Sequence, residues 1–275
     1  MSRVWFVTGS STGLGRVLCE QLLEHGERVV ATARKPEDVA DLQGERCLTA
    51  ALDVLQPAQI EAAVAAAVER FGRIDVLVNN AGYGEMGVIE EFDTDRARRQ
   101  FDVNVFGVLD VQRAVLPHMR AAGSGHVLNI SSIAGLASFP LAGIYCASKH
   151  ALEAVSEALA QEVEPFGVRV TLVEPGRFRT DFAGRSLGMP TAPAGEAYVE
   201  ATSGYDERRA ELDGAQPGDP AKAARAMIQV VEAERPPRRL LLGPDAWEWA
   251  EAKLASLRED FEAWKDVTLS TDFDA

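Results

Sequence analysis

The chain has 275 residues, 47% of them hydrophobic and 25% charged, a composition that supports a sizeable core in one large domain or two small ones. Its 28 basic and 42 acidic side chains leave a formal charge of −14, the opposite sign to that of a nucleic-acid binder, which must neutralise phosphates. Cys19, Cys47 and Cys146 show no CxxC or metal-ligand spacing, and no apolar run approaches the roughly 18 residues a membrane helix needs. No metal, nucleic-acid or membrane partner is therefore expected.

RVWFVT at residues 3–8 already reads as a strand, so no signal peptide is expected before the fold, and a reduced cytoplasmic setting fits best. The first strand, Val4–Thr8, runs into Thr8-Gly9-Ser10-Ser11-Thr12-Gly13-Leu14-Gly15 and then the helical VLCEQLLEHG. Glycines there let the backbone turn sharply beside a diphosphate, and the helix start offers free N–H groups. The spacing is GxxxGxG rather than the common GxGxxG. The second strand, Arg28–Thr32, leads to Arg34 and Lys35, with no carboxylate before Glu37. A basic residue at this point pairs with the extra phosphate of NADP, and an acidic one with the ribose of NAD. The expectation is NADP(H) over NAD(H), with Arg34, Ser11 and Thr12 as candidates for the 2′-phosphate.

Asp53 and Val54 follow a third strand, Cys47–Leu52, at the edge where adenine should rest. A helical stretch, Ala58–Phe71, leads to the nearly all-apolar strand Val76–Asn79 and then Asn80-Ala81-Gly82, small residues that admit a cofactor close to the backbone. Helical periodicity over Thr94–Ala121 contains Asn104, which either has a local role or binds a water near Lys149. The fifth strand, His126–Ser131, ends beside Ser132, and a helix over Tyr145–Phe166 opens with Tyr145-Cys146-Ala147-Ser148-Lys149. Residues four apart share a helix face, and a neighbouring cation lowers a phenol's pKa, so Tyr145 becomes a plausible acid–base. Glu174-Pro175-Gly176 ends the strand Val168–Val173, with Thr180 placed to bond a carboxamide.

The stretch Ala183–Gly218 is long, Gly- and Pro-rich and weakly patterned, as lids and binding loops are. A helix over Pro220–Ala233 and a strand over Arg239–Leu242 follow. The last segment, Asp245–Lys265, carries Trp247, Trp249, Leu254, Leu257, Phe261 and Trp264, and reads as a helix packed on the sheet or used in a subunit contact. Its many carboxylates, among them Glu248, Glu251, Glu259, Asp260 and Glu262, suggest a solvated acidic face.

Strand–helix alternation of this kind predicts parallel βαβ units. The fold class expected is α/β: a single-domain Rossmann fold over residues 1–275, with a doubly wound, seven-stranded parallel sheet between helices.

Taken in order, TGSSTGLG, Asp53, NNAG, Asn104, Ser132, YCASK and PGRFRT resemble the short-chain dehydrogenase/reductase family of the classical type, over about residues 3–245. ATARKP and VEPGRFRTDF are similar to its NADP-linked branch of 17β-hydroxysteroid and retinol dehydrogenase relatives. The resemblance implies a catalytic tetrad of Asn104, Ser132, Tyr145 and Lys149. It implies hydride transfer between nicotinamide and a ketone, aldehyde or secondary alcohol, and a homodimer or homotetramer joined through the fourth and fifth helices. The cofactor-binding candidates are Gly9, Ser11, Thr12, Gly13, Leu14, Gly15, Arg34, Asp53, Val54, Asn80, Ala81, Gly82, Tyr145, Lys149, Pro175, Gly176 and Thr180.

Phe139, Leu141, Phe178, Phe182, Met189, Tyr198 and Tyr205 flank the expected cleft and suggest a largely apolar small-molecule substrate, unless they merely pack a lid. Arg177 and Arg179 are expected in structural salt bridges. A non-catalytic NADP-binding regulator is the main alternative, but such proteins typically lose the tyrosine or lysine. An extended-type epimerase or dehydratase needs a larger carboxy-terminal domain, and an enoyl reductase a wider Tyr–Lys spacing.

Overall fold

The computed structural model describes residues 2–182, 186–188, 195–204 and 214–273. The chain runs β1 (Val4–Val7), α1 (Gly13–Glu24), β2 (Arg28–Ala33), β3 (Cys47–Ala51), α2 (Pro57–Phe71), β4 (Val76–Asn79) and a two-residue β5 (Gly84–Glu85). It continues through α3 (Thr94–Phe101), α4 (Gly107–Ala122), β6 (Gly125–Ile130), α5 (Gly143–Val163), β7 (Val168–Pro175) and a two-residue β8 (Leu187–Gly188). The last elements are α6 (Val199–Thr202), α7 (Pro220–Glu232), β9 (Arg239–Leu242), α8 (Pro244–Ala263) and α9 (Lys265–Leu269).

Seven strands form one sheet in the order β3-β2-β1-β4-β6-β7-β9, every pair parallel. The expected doubly wound α/β architecture is therefore present. Alternate residues of β1 face opposite sides, as the pleat requires. Trp5 and Val7 join a cluster with Leu18 and Leu22 of α1 and Met227 of α7. Val4 and Phe6 join a second cluster with Ile60 of α2, Val111 and Met119 of α4, and Val163 of α5. Because both faces are covered, strands such as Val76–Val78 are apolar throughout rather than alternating.

The winding reverses between β1 and β4. From β1 the chain steps outward to β2 and β3, and from β4 the other way to β6, β7 and β9. Loops at the carboxyl ends of β1 and β4 consequently diverge and leave a crevice, the place where open α/β sheets bind ligands.

Three local departures from expectation matter. Thr94–Ala122 is not one uniform helix, because Asp102–Phe106 forms a π-helical turn between α3 and α4. The pairing of β5 with β8 has no counterpart among the expected strands, since two residues carry no periodicity. Within α8 only Ala246 and Ala250 are buried, against Ile133 and Leu136, so the packed-helix expectation for residues 245–265 holds for the first two turns alone.

Candidate active site

The glycine turn after β1 is built by close contacts. Gly9 has φ +68°, and a Cβ there would sit 2.9 Å from the Ala81 Cα, so no side chain fits. A Cβ on Gly15 would lie 2.6 Å from the Gly9 carbonyl oxygen and against the Asn80 amide. Asn80 Nδ2 donates to the Thr8 and Gly9 carbonyls at 3.0 and 2.9 Å, while the Asn80 and Ala81 N–H groups both donate to Thr8 Oγ1 at 3.0 Å. The two loops bordering the crevice are thereby locked together. Thr8 is the residue that sequence reasoning missed here; its place just before Gly9 was the available signal.

Helix α1 starts at Gly13 without any side chain capping it, since the Thr12 hydroxyl makes no cap bond. Its first N–H groups and partial positive charge are thus directed at the crevice, a ready anion site. Ser11, Thr12, Gly13 and Leu14 are half-buried along its rim. Thr180 stands on the far side, its Cβ 3.7 Å from where a Gly13 Cβ would be. Pro175 closes β7, and Gly176 is packed on Asp245, whose carboxylate accepts the Arg177 N–H at 2.8 Å.

Arg34 follows directly after β2 and is exposed, with no hydrogen-bond or ion-pair partner among the described residues. Arg16 differs, being held by Glu20 and Asp41. Asp53 orders its own turn, its Oδ1 accepting the Leu55 N–H at 3.0 Å. Val54 is buried and packs on Gly107.

Asn104 and Lys149 come together at Gly82, and the Tyr145 ring packs against Gly84. A Cβ on Gly82 would lie 3.2 Å from Asn104 Oδ1 and 3.7 Å from Lys149 Nζ. Asn104 belongs to the π-helical turn, a feature that often marks functional sites because it re-aims one side chain. Its Nδ2 donates to the Tyr83 carbonyl (2.8 Å) and Ser148 Oγ (3.1 Å), and its Oδ1 accepts the Tyr83 N–H (3.1 Å). Tyr145 and Lys149 occupy successive turns at the start of α5, with Lys149 Nζ 5.9 Å from the phenol ring centroid. Lys149 Nζ donates to the Ile130 carbonyl at 2.8 Å. Ser132 caps a short 3₁₀ turn, its Oγ accepting the Ala134 N–H at 3.1 Å, and it stands beside the Tyr145 phenol, whose proton affinity it lowers.

Burial governs the proton affinities. The Tyr145 phenol is pushed up to about 12 by burial, with the neighbouring Ser132 opposing. The Lys149 ammonium is pushed down to about 8 by burial, with Glu153 opposing. The expected lowering of Tyr145 by its cation is thus not what the protein alone displays, because desolvation disfavours both charged forms. Tyr145 instead stands as a protonated donor at neutral pH.

Around the phenol, Met86, Ala134, Ala142 and Cys146 are buried together, with Phe139, Leu141, Tyr145 and Leu187 packed on them. The Phe182 ring centroid is 6.0 Å from that of Tyr145. Phe178 departs from expectation: it turns away into the cluster of α1 and α7 and packs over Gly218. The Tyr198 hydroxyl donates to Glu90, while Met189 and Tyr205 lie outside the described residues. Among the described residues the two arginines make no salt bridge. Arg177 lies over the Trp249 ring at 4.8 Å, and Arg179 donates to the Gln216 carbonyl at 3.2 Å.

Residues 3–188 match the family model described as short chain dehydrogenase. Oxidoreductase BOA17 of Botryotinia fuckeliana is 40% identical over 275 aligned residues, covering 98% of this chain and all of that protein. A solved short-chain dehydrogenase from Streptomyces avermitilis is 42% identical with TM-score 0.91, covering 99% of this chain and 100% of that one. Two further solved neighbours hold a cofactor. One, from Burkholderia cenocepacia with NADP, is 29% identical (TM-score 0.75; 95% and 96% covered), and one from Burkholderia phymatum with NAD is 27% identical (TM-score 0.78; 100% and 97% covered).

Proposed function

The chain belongs to the short-chain dehydrogenase family of oxidoreductases, and from that premise we propose that it is an NADP(H)-dependent carbonyl reductase or alcohol dehydrogenase for a hydrophobic small molecule, with Tyr145 as its general acid–base. The carrying observation is that Asn104 and Lys149 meet at Gly82, with Tyr145 one turn before Lys149 against Gly84 and Ser132 beside its phenol. The fit to a dinucleotide is good. An uncapped helix start and a glycine turn with no room for a Cβ stand together after β1, and Arg34, without a partner among the described residues, follows the neighbouring strand β2.

A bound nicotinamide supplies or accepts the hydride. The first N–H groups of α1 would hold the diphosphate, and Arg34, with Ser11 and Thr12, the 2′-phosphate. Asp53 and Val54 would border the adenine, and Pro175, Gly176 and Thr180 the nicotinamide. Ser132 positions the substrate oxygen. In reduction, Tyr145 Oη breaks its O–H bond and protonates that oxygen; in oxidation the proton returns along the same path. Lys149 stabilises the phenolate left behind, and Asn104 fixes the backbone of Tyr83 beside it. Phe139, Leu141, Phe182 and Leu187 favour an apolar ketone, aldehyde or secondary alcohol over a charged one. Buried, unpaired Cys19, Cys47 and Cys146 suit a reducing, cytoplasmic compartment.

The test is a panel of ketones, aldehydes and alcohols followed by NAD(P)H absorbance, with Tyr145→Phe as control. The variant should lose at least a hundredfold in kcat while still binding NADP(H). Full activity in Tyr145→Phe refutes the mechanism, and tight NADP(H) binding without turnover of any panel member favours a non-catalytic regulator.

A further inference from the structure

We propose that the exposed stripe of α8 is an interface for a second copy of this chain, the two helices packing antiparallel. Beyond Ala250 the segment leaves the body: from Glu251 to Phe273 only Lys253 and Leu257 are even half-buried. Among the described residues, seven of the eleven exposed large apolar side chains lie between Trp247 and Phe273. Trp247 is 60% exposed, Leu254 62% and Phe261 68%. Such a concentration on one terminal segment, with Trp247, Leu254 and Phe261 on α8 itself, is costly in water and marks a contact surface.

The spacing says what kind. Trp247, Leu254 and Phe261 are seven apart, as are Ala250, Leu257 and Trp264 three residues later. These are the two apolar positions of a heptad seam, which a second helix covers. Ala250 also touches the body, so the covering helix would lie in the angle between α8 and the rest of the chain.

The flanking charges choose the occupant and its direction. Glu251 and Arg258 border the seam on one side, and Lys253 and Asp260 on the other. In an antiparallel pair, flanking residues of like position meet each other. Setting Leu254 over Leu257 of the second copy puts Trp247 over its Trp264 and small Ala250 over its large Phe261. The same register brings Glu251 beside Arg258 of the second copy and Lys253 beside its Asp260, so every flanking pair is opposite in sign. A parallel pair would set Lys253 against Arg258. An anionic lipid surface fits worse, because Glu248, Glu251, Glu259, Asp260 and Glu262 crowd the same helix. This face is separate from α4 and α5.

The experiment is the mass of the full-length protein by light scattering across a dilution series. Leu254→Glu/Phe261→Glu should halve the mass at concentrations where the wild-type assembly stays intact, with the thermal transition of the body retained. Glu251→Arg alone should weaken the assembly at least tenfold, and Glu251→Arg/Arg258→Glu should restore it. An unchanged mass in the first variant, no rescue in the charge swap, or a wild-type monomer that binds phosphatidylserine vesicles instead would each overturn the proposal.

Discussion

Burial moves the proton affinities of Tyr145 and Lys149 in opposite directions, the phenol up to about 12 and the ammonium down to about 8. For a reductive step the phenol must be protonated and the lysine charged. The first condition holds across the neutral range, whereas the second is lost as pH rises through about 8. Reduction should therefore show a kcat/KM that falls above about pH 8, with no matching acid limb from Tyr145. A profile flat to pH 10 would rule out a charged Lys149 as the limiting group. Arg34 supports a separate expectation. It is exposed, with no partner among the described residues, so on the proposed reading Arg34→Ala removes one charge-assisted contact to a 2′-phosphate, worth about 1.5–3 kcal/mol. The ratio of kcat/KM values for NADPH over NADH should drop at least tenfold, and an unchanged ratio would place phosphate recognition elsewhere. Tyr145, Lys149 and Arg34 stood out in the sequence as candidates because their neighbours were informative. Thr8 did not, because its partners lie 72 and 73 residues away and only its place just before Gly9 pointed to it.

At the scale of elements, the strands and most helices could be read from apolar runs and from Gly and Pro at their ends. The π-helical turn at Asp102–Phe106 could not. Its apolar spacing differs from that of an α-helix by a single residue, and what the extra residue does is turn Asn104 toward Tyr83 and Ser148. The two-residue β5 and β8 escape for a different reason: they are set by the approach of Leu187 to Gly84, a long-range contact. The direction of Asn104 makes a prediction. Asn104→Ala leaves the half-buried N–H and carbonyl of Tyr83 without their side-chain partner, costing about 1–3 kcal/mol per unsatisfied group, while Ser148 Oγ keeps its bond to the Tyr145 carbonyl. Urea unfolding should show that loss together with at least a tenfold drop in kcat, since the Tyr83 backbone borders the site. Wild-type stability and activity in this variant would reduce Asn104 to a bystander. Gly15→Ala should act on binding more than on turnover, because its Cβ meets the Gly9 carbonyl and the Asn80 amide. A raised NADP(H) Kd with little change in kcat is the expected readout.

Across the whole molecule, the two-faced core was legible because a sheet covered on both sides favours strands that are apolar almost throughout, as Val76–Val78 is and as Val170–Val173 is but for Thr171. What pins the far edge of that sheet was not legible, since it joins three distant elements. Arg239 of β9 reaches Glu153 and Glu157 of α5 and Glu174 of β7 at 3.0, 2.6 and 3.1 Å. Glu174 is fully buried and Glu153 nearly so, and one guanidinium does not neutralise both. Burial, and after it the Glu153 charge, pushes Glu174 up to about 8 from an ordinary value near 4.5, and burial raises Glu153 as well. The folded protein therefore keeps a proton that the unfolded chain releases. Stability from this pair is complete below about 4.5 and is lost progressively as pH rises through about 8. Glu174→Gln replaces the protonated acid with a neutral group of the same shape. Its urea midpoint should match or trail the wild type at pH 5 and overtake it by pH 8, where the wild type buries a second unneutralised carboxylate. Parallel midpoints from pH 5 to 8 would mean that Arg239 alone compensates both acids.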